Sequence, residues 1–313
     1  VTFDEKSDGD VRVRTALDGR LSLLVHANPK NAILHTALIG EMNGLLHALD
    51  GVPFGGPRAY AKWVQPAPAI PKRPADAVGG TEFIRSIEKL NRTEREEAIA
   101  REVLRGNIPD FLRSFRKVET KIKDAAGKER VAVVEVMPDY LAIGSDADFV
   151  RMPMNPQTAA RIADAFGCAL PTRKIVDDVY RTATVKLAPK PLTMNREAPA
   201  TFLQHHSIIE EQRSGRELGQ LVAGHKKDVV VSNRLAEKPN RVAIYGWHQL
   251  DGKPIQPLTI VHVDWYVDYS HGVRLMKRTV TVDGKLQDAR QVLLSPSLSP
   301  LLSDEGPVLR PSY

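Results

Sequence analysis

Apolar and polar positions change period along this chain, and the changes predict its elements. Val11-Arg-Val-Arg14 alternates, Asp18-Gly19 supplies a turn and Leu21 to His26 returns, which predicts a β-hairpin. Residues 31–49 (NAILHTALIGEMNGLLHAL) carry a helical apolar rhythm, weakened by two glycines, and predict a helix. A proline-rich stretch from Gly51 to Ala77, containing APAIPKRP, predicts an extended linker or surface belt. Thr81 is placed to cap a helix over FIRSIEKL, and Thr93-Glu-Arg-Glu96 has the form of a capping box opening a helix that Gly106 stops. Lys117–Lys123 and Arg130–Met137, joined through Asp124-Ala-Ala-Gly127, predict a second hairpin. Asn155-Pro156 opens a helix ending at Gly167, and Thr172 launches another (RKIVDDVYRTA), the two forming a helical hairpin. From Asp228 onward the pattern is strand-like: DVVVSN, RVAIYGW, LTIVHVDW and HGVRLMKRTVTV, punctuated by Asp-Gly turns at 251–252 and 283–284.

Helices in the middle and strands near the end predict an α+β fold, a helical middle region packed on a mostly antiparallel C-terminal β-sheet. The regions divide as 1–80 (hairpin, helix and Pro-rich segment), 81–200 (helical with one hairpin) and 201–313 (β-rich), or join as one compact domain. With 313 residues, 42% hydrophobic and 26% charged, the composition is globular. No window approaches 18 uninterrupted apolar residues, so no transmembrane helix is expected.

The formal net charge of +6 favours anionic surfaces, but 44 basic residues are scattered among 38 acidic ones without aromatic-interleaved basic patches. Nucleic acid is therefore not the expected partner; a polymeric or small-molecule ligand is. One cysteine excludes an intramolecular disulfide. A polar start at Val1 without an apolar leader core favours a processed, exported protein, extracellular or periplasmic.

Six of the nine histidines (His205, His206, His225, His248, His262, His271) fall in one stretch with Trp247 and Trp265. Histidine shuttles protons near neutrality and binds metals, so this enrichment marks the candidate site. Two strings stand out. Gly224-His-Lys-Lys-Asp228 sets two lysines beside a histidine and a carboxylate, and Val267-Asp-Tyr-Ser-His-Gly-Val-Arg-Leu275 crowds Asp268, Ser270, His271 and Arg274 around a glycine. Strand alternation puts Ser270 and His271 on opposite faces, so they are not expected to act as a nucleophile–base pair without a turn. His262 and Asp264, two apart on one strand, form the start of a zinc site that His225, His248 or His271 would complete. No H-E-x-x-H, G-x-x-x-x-G-K-[ST], G-x-G-x-x-G or G-x-S-x-G motif occurs.

The string SHGVRL resembles the S-H-G-C-x-R signature of L,D-transpeptidases, and Ile244-Tyr-Gly-Trp-His248 is similar to that family's strand carrying its general-base histidine. The resemblance spans about 30 residues and implies a related β-rich scaffold. Val273 stands where the family has its nucleophilic cysteine, so the chemistry would differ. Cys168 follows a helix stop at Gly167 and is expected to be a buried structural thiol.

These features predict an exported bacterial hydrolase acting on a peptide- or sugar-containing polymer. His225, Asp228, His248, Asp268, Ser270 and His271 would meet in one cleft, the histidines doing acid–base work. The competing expectation is a binding or structural module presenting Trp247, Trp265 and Tyr269, with Arg274, as a ligand platform. His271 discriminates: a cleft position beside a carboxylate favours catalysis.

Overall fold

The Val11–Arg14 alternation does make a strand. In the computed structural model β1 (Val11–Thr15) pairs antiparallel with β2 (Leu21–Val25). The helix expected over 31–49 is replaced by β3 (Ile33–Ile39) and β4 (Leu46–Pro53), also antiparallel. Gly40 and Gly44 fall between these strands, and each costs a helix interior about 1 kcal/mol relative to alanine. The structure describes these four strand backbones and residues 70–313 except 125, so residues 54–69 of the proline-rich stretch lie outside the described residues. Val1–Gln65 and Pro66–Tyr313 are separate compact units.

The second unit is α+β. Its opening, Ile70 to Pro74, is an extended belt pinned by Arg73, whose guanidinium donates to Asn107 Oδ1 (3.0 Å) and to the carbonyls of Gly144 and Ala77. Helix α1 (Gly80–Ser86) begins one residue before Thr81, so Thr81 is inside the helix. Asp148 supplies the cap, accepting from the Thr81 amide (3.0 Å) and hydroxyl (2.8 Å). Helix α2 (Arg92–Leu104) is opened by a capping box, but by Asn91 with Glu94 instead of Thr93 with Glu96. Glu96 is thereby free to accept from the Asn155 amide (3.1 Å), tying α2 to the start of the later helix α3.

The hairpin β5 (Arg116–Lys123)/β6 (Glu129–Val136) forms where its alternation predicts. A shorter antiparallel pair follows, β7 (Ala142–Gly144) with β8 (Phe149–Arg151). Helices α3 (Pro156–Ala165) and α4 (Arg173–Thr182) are capped by Asn155 and Thr172, as the sequence indicates. They are not joined by a bare turn, because β9 (Cys168–Ala169) between them enters a sheet.

Next come β10 (Val185–Lys186), α5 (Pro199–Arg213), β11 (Val222–Ala223), β12 (Lys227–Val229), β13 (Ile244–His248), β14 (Pro254–Thr259), β15 (His271–Gly272), β16 (Met276–Lys277), β17 (Thr279–Val282), β18 (Lys285–Asp288) and α6 (Ala289–Leu294). Strand β10 runs parallel to β11. One sheet has the order β18-β17-β6-β16-β9 with β5 beside β6; the other is β14-β13-β12-β15. Pairing is mostly antiparallel, with β12 and β15 parallel. The long strand expected over 271–282 is thus three short ones shared between two sheets. Helix α5 corrects the expectation that 201–313 is wholly strand-rich. It buries Phe202, His205, His206 and Ile209, one helical face with two imidazoles in core positions. One apolar cluster joins α1, α2, α3 and α5 to β12 and β13; a second joins α4 and α6 to the hairpin sheet.

Candidate functional site

Strand β12 carries Lys227 and Asp228 through the middle of the smaller sheet, and register decides where they point. Lys227 lies opposite His271 of β15, and Asp228 opposite Gly272 of β15 and Tyr245 of β13. Partners on neighbouring strands share a face, and successive residues alternate. Lys227 and His271 therefore face one way and Asp228 the other. The six expected catalytic residues are all buried, yet they fall into separate hydrogen-bonded groups on two faces, and the single cleft expected for them is not formed.

On the first face Asp268 is the hub. Its Oδ1 accepts from the Ser270 amide (2.8 Å) and hydroxyl (2.5 Å), and its Oδ2 from Arg196 (2.6 Å) and the Tyr266 hydroxyl (3.2 Å). Burial works to raise this carboxyl. His271, the Ser270 hydroxyl, Lys227 and Arg196 outweigh burial and hold the group well below the ordinary carboxylate range. The Ser270 hydroxyl is committed to Asp268 and does not address His271, although a turn closed by the His271 amide on the Asp268 carbonyl (3.1 Å) replaces the alternating strand expected here. His271 is enclosed, and burial pushes its pKa down to about 4 against the pull of Asp268. Its Nε2 is buried and has no hydrogen-bond partner. Above it, His262 stacks on Tyr266 (centroids 4.4 Å) while Tyr266 stands edge-on to His271 (5.9 Å). His262, Tyr266 and Arg196 are half-buried and form a rim over the nest.

Next to this nest lies a second buried group that spacing alone did not reveal. Lys226 donates to the Tyr269 carbonyl (2.5 Å) and sits 3.5 Å from His205 Nδ1 on α5. Burial, reinforced by Arg151, brings its amine down to about 7. His225 Nε2 meets Asp139 Oδ1 at 3.0 Å, and Asp139 also takes both arms of buried Arg151 (3.1 and 2.6 Å). Arg151 reaches on to Glu210 (2.8 Å) and His206 Nδ1 (3.2 Å). Burial lowers His205 to about 2, His206 to about 3 and His225 to about 4, so all three rings are neutral at pH 7. His205 Nε2 and His225 Nδ1, like His271 Nε2, are enclosed without partners.

On the opposite face Asp228 accepts from the Tyr140 hydroxyl (2.8 Å), and burial raises it to about 6 although Arg274 opposes this. Arg274 is itself buried, donating to the carbonyls of Met137 (2.7 Å) and Val222 (2.6 Å) with its guanidinium over Tyr140, so it braces the core. Gly272 is required here: a Cβ would lie 2.6 Å from the Tyr140 ring. His248 bonds Asp177 (2.9 Å), which also accepts from Tyr245 (2.9 Å), and its ring stacks on Tyr180.

The expected aromatic platform is not there. Trp247 and Tyr269 are 5% and 1% exposed, with the Tyr269 hydroxyl on the Leu192 backbone; Trp265 alone of the three is open, at 52%. The zinc site is not assembled either. His262 turns to Tyr266, Asp264 accepts from Gln157 (2.8 Å), and among the described residues no three His, Cys, Asp or Glu side chains converge as a ligand set. Val273, which follows Gly272 in the SHGVRL string, is fully buried. Cys168 is 1% exposed, its Sγ 3.5 Å from the Phe166 carbonyl and its thiol pushed up to about 12 by burial. A hollow of about 1080 Å³ beside it, lined by Lys117, Glu135, Lys277 and Arg278, lies over the larger sheet and holds none of the histidines.

Arg196, Tyr266, Lys226, His205, Asp139 and Arg151 belong to this polar core and were not singled out from the sequence as catalytic. GHKKD was the one signal that pointed to Lys226. Among the described residues, no helix is long and apolar enough to cross a membrane. Comparison with protein-family models, curated proteins and solved structures finds no match to this chain.

Proposed function

We propose that this protein is a hydrolase acting on a peptide- or sugar-containing polymer, with His271 as general base and Asp268 as the carboxylate that stabilises it. The reading rests on one observation: a neutral, buried His271 keeps an Nε2 without a partner among the described residues, its ring lies within electrostatic reach of the ionised Asp268, and half-buried Arg196, Tyr266 and His262 border the group. A neutral imidazole with a free lone pair accepts a proton from water or a hydroxyl. The imidazolium so formed is favoured by Asp268, already ionised and held by Ser270 and Arg196, so little reorganisation accompanies the charge. Lys226, the nearby amine titrating closest to neutrality, is the second group that can exchange a proton in this region. His225, Asp228 and His248, assigned to catalysis on sequence grounds, here serve as buried structural pairs.

Turnover of labelled cell-wall polysaccharide, peptidoglycan and protein substrates by the wild type and His271→Gln tests this. Loss of about a hundredfold or more in kcat with an unchanged circular dichroism spectrum is expected. Full turnover by the variant would end the assignment. The second reading, a non-catalytic binding module, is favoured by the exposure of Trp265; ligand binding without turnover of any polymer would select it.

A further inference from the structure

Trp265 is the exception among the buried aromatics of this region, and it does not stand alone. Its indole borders a hollow of about 260 Å³ between α2 and α3, lined also by Arg92, Glu96, Glu97, Asn155, Gln157 and Arg161. The charges there cancel in pairs: Arg161 meets Glu97 at 3.0 Å, and Arg92 meets Glu197 at 3.0 Å while stacking 4.4 Å from the indole centroid. Glu96 is raised to about 7 by burial, which removes about half of a further negative charge near neutrality.

Arg95, in the adjoining depression, donates to the Glu197 carbonyl (2.6 Å) and lies within electrostatic reach of Glu96 and Glu197. What remains is an open aromatic surface ringed by amide, hydroxyl and carboxyl groups with little net charge. A phosphate or other anion favours a cluster of cations free of carboxylates, and here Arg92, Arg95 and Arg161 are each engaged by a glutamate side chain or carbonyl. An extended peptide is usually gripped by a sheet edge supplying backbone hydrogen bonds, and the hollow is walled by two helices. A neutral pyranose, with an apolar ring face and a belt of hydroxyls, matches both the indole and the polar lining.

The hollow also abuts the nest proposed as catalytic. Trp265 precedes Tyr266, Val267 precedes Asp268, and Glu197 follows Arg196; Trp265, Val267 and Glu197 line one continuous depression with Arg92 and Glu96. Adjacent residues are about 3.8 Å apart at Cα, so a bound polymer unit would lie beside the rim. We propose that the Trp265 hollow is a subsite for one neutral sugar unit of a glycan chain, which takes the sugar-containing member of the polymer class named above and rests on that reading for its role in turnover.

The test is calorimetric titration of the full chain with a β-1,4-linked N-acetylglucosamine tetramer and with cellotetraose, against a blocked tetra-alanine peptide. At least one saccharide should bind the wild type and His271→Gln alike. Trp265→Ala should weaken that binding about tenfold or more, and Trp265→Phe should retain most of it. Trp265 is half-exposed, so both variants should fold, as melting curves would verify. Failure of both saccharides to bind the wild type, equal binding by Trp265→Ala, or binding of the peptide alone would overturn the subsite. Saccharide binding that depends on Trp265 supports the subsite even if His271→Gln keeps its turnover, a result that would fall on the catalytic reading alone.

Discussion

Acid should unfold this protein through four buried imidazoles. His205, His206, His225 and His271 titrate near 2, 3, 4 and 4 in the folded chain, burial being the main cause in each. Unfolded, each returns to about 6.5. At pH 5 the unfolded chain therefore holds close to four protons on these rings and the folded chain almost none. Asp228 and Glu96, raised by burial to about 6 and about 7, work the other way, the folded chain holding about 1.6 more protons on them at that pH. The balance is about two protons in favour of the unfolded state. Stability should then fall by about 3 kcal/mol per pH unit as pH drops through 5. The sign is that of depressed cationic groups: the loss begins near the unfolded value of about 6.5 and continues towards the folded values. Integrated from pH 7 to pH 4 the loss is on the order of 7 kcal/mol, comparable with the whole stability of a typical domain. Urea unfolding followed by tryptophan fluorescence between pH 4 and 7 measures the slope, and NMR titration of the imidazole Cε1 protons measures the folded pKa values. A flat profile between pH 7 and 4.5, or histidines titrating near 6.5 in the folded protein, would refute the burial argument and with it the neutral state assigned to His271.

Two structural predictions follow from the same core. Asp139→Ala removes the bidentate partner of Arg151 and the carboxylate 3.0 Å from His225 Nε2, leaving a buried guanidinium half-paired; equilibrium unfolding should show a loss of about 3–5 kcal/mol, and a loss under 1 kcal/mol would mean that water reaches Arg151. Cys168→Ser or Cys168→Ala should cost about 1 kcal/mol and leave any activity in place. Its thiol should resist labelling in the folded protein, whereas rapid stoichiometric modification that abolishes activity would make it a nucleophile.

Much of the framework is set by local signals. The β5/β6 hairpin follows from alternation around Asp124 to Gly127, and the starts of α3 and α4 from Asn155-Pro156 and Thr172, because period and caps depend on neighbours within a few residues. Local rules failed where polar side chains occupy core positions. The buried face of α5 is Phe202, His205, His206 and Ile209, a helical stripe that hydrophobicity does not register because half of it is imidazole. They failed also at 31–49, where a mixed apolar run fits a helix or a strand pair and Gly40 and Gly44 decide for the latter. The clustering of histidines along the chain brought several of them into one buried polar core, but proximity in sequence says nothing about which face of a sheet a side chain takes. Tertiary structure alone decided that. The register of β12 against β13 and β15 sends Asp228 to Tyr140 and leaves Lys227 beside His271, and partners as remote in sequence as Asp139, Arg151 and Arg196 complete the charges. Burial of the rings and of the amine, a property of the packed chain and of no local segment, is what lowers the imidazoles and Lys226 below their ordinary values.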